Sequence, residues 1–339
     1  MAVIDAVIER LRERSGVPYV SVSDVTKAEF EHMTITHAPR TRAYLKIEDG
    51  CESKCTYCAI SDARGRVRSK PRADVIAEVE ALAASGIREI VLTGIETGSY
   101  GRDFVEKYTL ADLICELDER ESCRQIRLGS LAPELVGEEF CNKVAKTKIL
   151  VPHFHISMQS GSDSVLRAMK RRYTKERALE NIRRLKKAFP RANFTTDLMV
   201  GFPSESEDDF LLTCDFVREA ELLDAHVFAY SKRRGTAAES FPCQIDEAVK
   251  RERSERLINV KNQMRDEILA RAVASAEPLA AICESRIADG YYTAHSDNYI
   301  EIKFKHESCR ELVGEEIRVI PVSHKDGVLY CELEEVISK

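Results

Sequence analysis

Three cysteines lie close together in one short segment of the chain. Residues 50–58 read GCESKCTYC, which places Cys51, Cys55 and Cys58 at C-x3-C-x2-C spacing. Gly50 allows a tight turn before them, so the three thiolates can converge on one inorganic centre. Soft thiolate ligands favour either zinc or an iron–sulfur cluster. The segment is therefore predicted to bind a metal centre.

The number of ligands distinguishes the two candidate centres. A structural zinc site needs a fourth protein ligand at a recognisable spacing. The nearest histidines, His37 and His153, lie in unrelated segments. Ordinary [4Fe–4S] clusters take four cysteines, so three cysteines leave one iron open to a small molecule. An iron–sulfur cluster with an open iron is the favoured prediction, and structural zinc is the alternative.

The remaining composition is that of a soluble globular protein, with 44% hydrophobic and 32% charged residues. The other eight cysteines show no ligand-like spacing, and we interpret them as small hydrophobic residues. No apolar run approaches the roughly 20 residues needed to span a bilayer. The first residues are too charged for a secretory signal. These features predict a cytoplasmic protein without a membrane partner.

Strand-like apolar runs alternate with amphipathic helical stretches between Arg42 and Ser231. The predicted strands are Ala43–Ile47, Glu89–Gly94, Gln125–Gly129, His153–Met158, Phe194–Val200 and His226–Tyr230. The predicted helices are Ala73–Ser85, Thr109–Arg120, Glu134–Lys146, Lys175–Ala188 and Glu207–Glu221. This α/β alternation predicts a parallel sheet with right-handed crossovers, and six units suit a partial (β/α)6 barrel. The cysteines follow the first strand, at the end where such folds place their active sites.

The pattern changes after Tyr230, and this change defines the predicted domains. Residues 41–245 form the α/β core, and residues 246–275 form one long charged connecting helix. Residues 276–339 contain short β-type runs separated by turn signals, which predict a small β-barrel of four or five strands. The runs are Leu279–Cys283, Tyr299–Phe304, Glu316–Pro321 and Val328–Glu332. Residues 1–40 have weak periodicity and are predicted to be a remnant or a linker.

The cysteine segment resembles the signature of the radical SAM superfamily, because Tyr57 supplies an aromatic residue directly before the last cysteine. The resemblance implies one [4Fe–4S] cluster held by Cys51, Cys55 and Cys58. Its open iron would bind the amino and carboxylate groups of S-adenosyl-L-methionine (SAM). One electron from the cluster would cleave the sulfonium and give a 5′-deoxyadenosyl radical. The protein's part in such chemistry is to bind, orient and shield.

Three later strand ends resemble motifs that bind SAM in this superfamily. The motifs are Leu92–Gly98, Phe154–Gly161 and Thr195–Glu205. The resemblance implies SAM contacts for Tyr57, Thr93, Gly94, Glu96, Ser157, Gln159, Asp197 and Gly201. Each motif also has a purely structural interpretation, because strand ends and helix caps use the same residue types.

Further segments resemble the methylthiotransferases, which insert sulfur and a methyl group at unactivated C–H bonds. They are residues 63–69, residues 159–174 and Phe228–Ser231 with the following Gly235–Ala238. Leu92–Gly101 is most similar to the branch that acts on C2 of N6-threonylcarbamoyladenosine at tRNA position 37. Other branches act on isopentenyl-adenosine or on a ribosomal protein. The C-terminal segment resembles the TRAM domain, an RNA-binding β-barrel.

Three basic runs lie beside predicted strand ends. Their residues are Arg64, Arg66 and Arg68, then Lys170, Arg171 and Arg172, then Lys232 and Arg233. The net charge of −6 argues against indiscriminate binding of nucleic acid. One run alone is usually a solvated surface, but three runs at one end of the fold favour phosphate contacts with a tRNA anticodon loop. Adenosine 37 lies in a single-stranded loop, so it can be splayed into the site.

The sequence departs from the methylthiotransferase pattern near its start. Members of that family carry an N-terminal domain with three more cysteines for a second [4Fe–4S] cluster, yet no cysteine precedes Cys51. Ser61 stands where the family usually has proline, and Lys232-Arg233 replaces a Pro-rich stretch. We expect one cluster per chain, a reductant such as flavodoxin or ferredoxin, and a separate sulfur or cluster donor. The alternatives are an RNA-binding protein with a vestigial cluster, or a radical SAM enzyme that has lost thiolation because the second-cluster domain is absent.

Overall fold

The computed structural model describes residues 41–307 and 311–337, with short stretches at 7–9, 11–12, 24, 29–30 and 34. The predicted remnant or linker, residues 1–40, therefore lies largely outside the described residues. Within the described parts of the chain, no helix has the length and apolar character that crossing a membrane requires.

The core contains eight described strands, six of which run parallel. The strands are β1 (Arg42–Lys46), β2 (Glu48–Asp49), β3 (Arg68–Ser69), β4 (Glu89–Thr93), β5 (Gln125–Leu128), β6 (His153–Gln159), β7 (Asn193–Val200) and β8 (Leu222–Ala229). One parallel sheet has the order β1-β4-β5 and a second has the order β6-β7-β8. Parallel bridges from Ile126 to Leu150 and from Leu131 to Ile156 join the two. The predicted α/β core with a parallel sheet is confirmed.

Eight described helices accompany these strands. They are α1 (Ile60–Arg64), α2 (Arg72–Ala84), α3 (Leu110–Glu119), α4 (Glu138–Val144), α5 (Asp163–Ala168), α6 (Lys175–Ala188), α7 (Glu207–Glu219) and α8 (Glu247–Ser275). Thr109 and Ser206 begin α3 and α7 with capping boxes, which satisfy free amides of the first turn. The helix predicted from Glu134 is shorter, because Gly137 lies between a 3-10 turn and the start of α4.

The two faces of the parallel strands differ in chemistry because successive side chains point to opposite sides. Alternate residues such as Leu45, Ile90 and Phe154 pack with the helices in one hydrophobic core. The intervening residues form what we call the inner face. Its side chains are polar or charged on most strands, and they include Arg42, Glu89, Arg127, His153, His155, Thr195, Asp197 and His226. A polar inner face is where this fold can bind a polar ligand.

A closed five-stranded barrel follows α8. Its strands are β9 (Leu279–Arg286), β10 (Tyr291–Ser296), β11 (Glu301–Lys305), β12 (Glu316–Lys325) and β13 (Val328–Val336). The order around the barrel is β10-β11-β13-β12-β9, and β11 pairs with β13 in parallel. Such small barrels include the oligonucleotide-binding folds. The sequence patterns missed β10, whose buried Tyr292 and Ala294 alternate with half-buried residues and form no apolar run.

This C-terminal barrel closes the end of the core at which the parallel strands begin. Arg127 donates hydrogen bonds to the carbonyls of Ser296 and Asp297, at 3.4 and 3.1 Å. The Tyr299 ring stacks on His153 with a centroid distance of 4.1 Å. The cysteine segment lies at the opposite end of the strands, so the barrel is the floor of the inner face.

Glu89 is the centre of a buried ion network at this floor. Its carboxylate accepts hydrogen bonds from Arg127 at 2.7 and 3.0 Å and pairs with Arg42. Arg42 also pairs with Glu284 of β9, so the network joins the core to the C-terminal barrel. Burial alone would raise the pKa of Glu89, but the two guanidinium groups outweigh it and hold the pKa below its usual value.

Candidate active site

The cysteine segment begins with a turn that requires glycine. Gly50 has a φ of +89°, and a Cβ on it would lie 1.9 Å from the carbonyl oxygen of Arg66. The Cys51 amide donates to the Gly65 carbonyl at 3.1 Å, which closes the turn against the loop before β3. β2 and β3 pair in antiparallel orientation over two residues each, beside this turn. The tight turn predicted from Gly50 is present.

The sulfur of each cysteine in this segment accepts a hydrogen bond from another group of the protein. The donors are the Ser53 amide to Cys51 at 3.5 Å, the Ile60 amide to Cys58 at 3.4 Å, and the Arg171 guanidinium to Cys55 at 3.3 Å. Burial raises the pKa of the Cys58 thiol, and the Ile60 amide opposes this rise. Binding of a metal centre must therefore displace a thiol proton.

The donor set fits a [4Fe–4S] cluster. Three adjacent cysteines supply soft sulfur ligands, and donors directed at the sulfurs stabilise thiolates in such clusters. In the described parts of the chain, no three His, Cys, Asp or Glu side chains are grouped to hold a single metal ion. Three cysteines are the ligand set expected of a cluster whose fourth iron has no protein ligand.

A buried glutamate that the sequence patterns missed supports the turn after β4. The Oε2 atom of Glu48 accepts a hydrogen bond from the Glu96 amide at 2.9 Å. A Cβ on Gly94 would lie 2.5 Å from the same oxygen, so a larger residue there would displace the Glu48 side chain. Burial raises the pKa of Glu48 to about 8. Glu48 follows Ile47 and belongs to no periodic pattern, so it could not be identified as a site residue from the sequence.

The predicted SAM contacts of this turn differ in how deeply they are buried. Thr93 and Gly94 are half-buried at the end of β4. The Glu96 carboxylate is buried and accepts a hydrogen bond from the Ala132 amide at 2.8 Å. Burial raises the pKa of Glu96 to about 7. Glu96 thus has a structural role in joining the turns after β4 and β5, and its contact with SAM stays a prediction.

The end of β6 is irregular and buried. Gln159 has a φ of +72°, and the register against β7 shifts between Ile156 and Gln159. The Ser157 carbonyl accepts hydrogen bonds from Arg171 and from the Tyr173 hydroxyl, both at 2.9 Å. These contacts join the end of β6 to the segment between α5 and α6.

Asp197 of β7 lies between two histidines of the inner face. His155 Nε2 and His226 Nδ1 approach its carboxylate at 3.3 and 3.4 Å. Burial would raise the pKa of Asp197, but these two contacts lower it. Thr195 Oγ1 lies 3.0 Å from His155 Nδ1, which orients that ring. The sequence patterns missed both histidines, because only strand pairing brings them to Asp197.

The other two predicted SAM residues pack against neighbouring elements. The Tyr57 ring contacts the Phe202 ring edge-on at a centroid distance of 6.4 Å. Gly201 has a φ of +69°, and a Cβ on it would lie 2.3 Å from Lys250 Cγ of α8. Gly201 therefore makes room for the connecting helix, and its contact with SAM stays a prediction.

Six of the eight predicted RNA contacts are exposed, and the other two have guanidinium groups turned into the protein. The exposed residues are Arg64, Arg66, Lys170, Arg172, Lys232 and Arg233. Arg68 is buried, and its guanidinium bonds the Asp49 carboxylate at 3.2 Å. Arg171 is also turned inward, toward Cys55. Both guanidinium groups are bonded within the protein, and the RNA contacts of Arg68 and Arg171 stay predictions.

Comparison with known proteins identifies the superfamily of this chain. The Radical SAM superfamily model matches residues 45–217. The structure of coproporphyrinogen III oxidase (HemN) from Escherichia coli has a TM-score of 0.51 at 13% identity, covering 84% of this chain and 67% of that chain. The match to the superfamily model identifies the chain as a radical SAM enzyme, and the likeness to HemN agrees with the α/β fold.

Curated relatives identify the family within that superfamily. Threonylcarbamoyladenosine tRNA methylthiotransferase MtaB of Bacillus subtilis is 38% identical over 318 residues, which are 92% of this chain and 69% of that protein. A tRNA-2-methylthio-N(6)-dimethylallyladenosine synthase of Thermoanaerobacter pseudethanolicus is 38% identical over 245 residues, which are 72% of this chain and 52% of that protein. This chain belongs to the tRNA methylthiotransferases of the radical SAM superfamily. It spans only about half the length of the second relative.

Proposed function

We propose that this chain methylthiolates C2 of N6-threonylcarbamoyladenosine at position 37 of tRNA through a 5′-deoxyadenosyl radical. The observation that carries the proposal is the position of three sulfur-ligand cysteines at the end of a polar inner face. The similarity to the Bacillus subtilis relative supports the substrate, since it extends over 92% of this chain, against 72% for the dimethylallyladenosine relative.

Different residues of the chain would bind the cluster and SAM. Cys51, Cys55 and Cys58 would hold the cluster. When bound, the [4Fe–4S] cluster and SAM supply the one-electron cleavage that yields the radical. The proposed SAM contacts are Tyr57, Thr93, Gly94, Glu96, Ser157, Gln159, Asp197 and Gly201. The hydrophobic core that packs Tyr57 against Phe202 keeps water from one side of the cysteine segment.

The inner face suits a polar substituent on the adenine better than an apolar one. A threonylcarbamoyl group carries a carboxylate and a hydroxyl, whereas a dimethylallyl group carries neither. The side chain of His226 is 73% exposed and that of His155 is 22% exposed, so both can meet a ligand. Polar groups in a site reject an analogue that leaves them unpaired. This chemistry favours the threonylcarbamoyl substrate.

Exposed basic residues of the core would hold the anticodon loop. The six exposed members of the three runs lie on loops and helix ends near the cysteine segment, where they can meet phosphates. Residues 276–339 contain 13 Asp and Glu residues against seven Lys and Arg residues. The phosphate attraction therefore comes mainly from the core, and RNA binding by the TRAM-like barrel stays a prediction.

Reconstitution with a defined substrate tests this function. The whole chain is loaded anaerobically with iron and sulfide, then given SAM, dithionite, excess sulfide as sulfur donor, and tRNA bearing threonylcarbamoyladenosine at position 37. We expect about four irons per chain, together with 5′-deoxyadenosine and a methylthiolated nucleoside in mass spectra. A count of about eight irons would contradict the one-cluster expectation.

The two alternatives give different results in the same assay. A chain with a full cluster that forms no 5′-deoxyadenosine would be an RNA-binding protein with a vestigial cluster. Formation of 5′-deoxyadenosine with unmodified tRNA would indicate a radical SAM enzyme that has lost thiolation. In cells we propose that a reductant such as flavodoxin or ferredoxin and a separate sulfur or cluster donor complete the reaction.

Replacement of His226 tests the substrate choice. In His226→Leu we expect kcat/KM for threonylcarbamoyladenosine tRNA to fall roughly tenfold or more, because one hydrogen bond to a charged group contributes about 1.5–3 kcal/mol. Activity on dimethylallyladenosine tRNA should fall less, so the ratio of the two values is the measurement. His324→Leu in the C-terminal barrel is the matched control and should leave the ratio unchanged. An equal loss on both substrates would contradict the proposed selection.

A further inference from the structure

The side chain of Arg171 connects the cysteine segment to the end of β6. Its neighbours Lys170 and Arg172 are exposed, whereas its own guanidinium points into the protein. It donates to Cys55 Sγ at 3.3 Å and to the Ser157 carbonyl at 2.9 Å. Its Nε donates to the Tyr173 hydroxyl at 2.8 Å. One arginine therefore contacts a cluster ligand and a strand end proposed to bind SAM.

The guanidinium is held in place by its surroundings. It lies over the Tyr173 ring, with 5.0 Å between the Arg171 Cζ and the ring centroid. The Tyr173 hydroxyl lies within 2.9 Å of the Ser157 carbonyl and 2.8 Å of the Met158 carbonyl, which fixes that ring. The Arg171 amide donates to the Leu166 carbonyl of α5 at 2.8 Å. Both the backbone and the side chain of Arg171 are thus fixed by contacts that need no ligand.

The cysteine segment is also bonded to the turn that carries Arg171. The Thr56 amide donates to the Met169 carbonyl at 3.1 Å, and the Thr56 hydroxyl donates to the Ala168 carbonyl at 2.9 Å. Cys55 and Arg171 therefore belong to one packed unit. The distance between Cys55 and Arg171 is therefore set by these hydrogen bonds.

Arg171 gives Cys55 a different environment from the other two ligands. In the part of the chain that the structure describes, the sulfurs of Cys51 and Cys58 accept from backbone amides, and Cys55 accepts from a charged side chain. An arginine remains positively charged in proteins. Adding an electron to a cluster increases its negative charge, so a nearby cation and a hydrogen bond to sulfur stabilise the reduced form.

We propose that Arg171 is a positioning residue that raises the reduction potential of the cluster and fixes the distance between Cys55 and the SAM-binding end of β6. The proposal rests on the cluster assigned to Cys51, Cys55 and Cys58. It does not depend on which RNA is the substrate. A failure to modify tRNA would leave the redox comparison intact, so the two proposals can fail separately.

The test compares Arg171→Gln with Arg172→Gln in the whole chain, each loaded anaerobically with iron and sulfide. Redox titration followed by electron paramagnetic resonance should show a more negative midpoint potential in Arg171→Gln alone. We expect the equilibrium constant for reduction to fall about tenfold, which corresponds to about 59 mV for one electron. The spectrum of the reduced cluster should also change in that variant. Binding of tRNA should show the opposite difference between the variants: Arg172→Gln should bind tRNA more weakly, and Arg171→Gln should bind it as the unchanged chain does.

The opposite pattern would overturn the proposal. A fully loaded Arg171→Gln protein with the potential and spectrum of the unchanged chain, but with weaker tRNA binding, would return Arg171 to the RNA-contact group. If Arg171→Gln does not retain iron, Tyr173→Phe provides the second measurement, because it removes the hydroxyl partner and keeps the charge. A potential shifted in the same direction supports the positioning role, and an unchanged potential and spectrum overturn it.

Discussion

A Cys55→Ala variant is expected to lose its cluster and to form 5′-deoxyadenosine more than about a hundredfold more slowly. Changes to groups that only support metal ligands already cost about 10–100-fold in affinity or activity. Cys55 is a direct ligand in our assignment, it is buried, and Arg171 contacts its sulfur. Iron and sulfide counts, absorption in the visible range and 5′-deoxyadenosine yield measure the effect.

Another cysteine of the same chain provides the control for this result. Cys243 is exposed and lies outside the cysteine segment, so Cys243→Ala should keep the iron count and the activity of the unchanged protein. Circular dichroism establishes that both variants are folded. A Cys55→Ala protein that keeps about four irons and full activity would exclude Cys55 as a ligand.

A Glu89→Gln variant is expected to lower the free energy of unfolding by about 3–5 kcal/mol, which is the usual cost of breaking a buried ion pair. The side chains of Glu89 and Arg127 are only 1% and 4% exposed. Glutamine keeps the shape of the side chain but leaves the guanidinium groups of Arg127 and Arg42 without the charge that they surround. Urea unfolding followed by circular dichroism measures the loss.

An exposed ion pair is the matched control for Glu89. Glu176 pairs with Arg183 at 2.9 Å, and their side chains are 64% and 61% exposed. We expect Glu176→Gln to change the free energy of unfolding by less than about 1 kcal/mol, because water screens exposed pairs. If both variants lost the same free energy of unfolding, the buried network around Glu89 would stabilise the protein no more than an exposed ion pair does.

The pH dependence follows from the lowered pKa of Glu89. A carboxyl whose pKa is lower in the folded protein stabilises it above the pKa of the unfolded chain, and this contribution disappears as the pH falls through the folded value. The usual value is 4.5. The difference in unfolding free energy between the unchanged chain and Glu89→Gln should therefore be constant near neutral pH and shrink below about pH 4.5.

The order of elements could be predicted from the sequence because it depends on local periodicity. The helix over Lys175–Ala188 has the predicted bounds, since Thr174 caps it and its apolar residues keep helical spacing. Strand β8 begins four residues earlier than the prediction, at Leu222, because strand pairing with β7 extends it. Pairing between distant segments is not visible in local patterns.

The site could be predicted only where chemistry is concentrated in one segment. The three cysteines and Gly50 lie within residues 50–58, so their spacing was informative. His155 and His226 become partners of Asp197 only after β6, β7 and β8 align. Arg68 and Arg171 belong to the same basic runs as the exposed residues, and their contacts within the protein set them apart. Such contacts form only in the folded molecule, so they cannot be predicted from a run of charged residues in the sequence.

The floor contact also has a consequence for how the chain is made. Tyr299, Ser296 and Asp297 complete an interior whose other walls come from β1, β4, β5 and β6. Synthesis proceeds from the N-terminus, and domains generally fold as they emerge. Arg127 and His153 therefore lack these contacts until residues 296–299 have been synthesised. The floor of the inner face is therefore completed by residues that are synthesised after the whole α/β core.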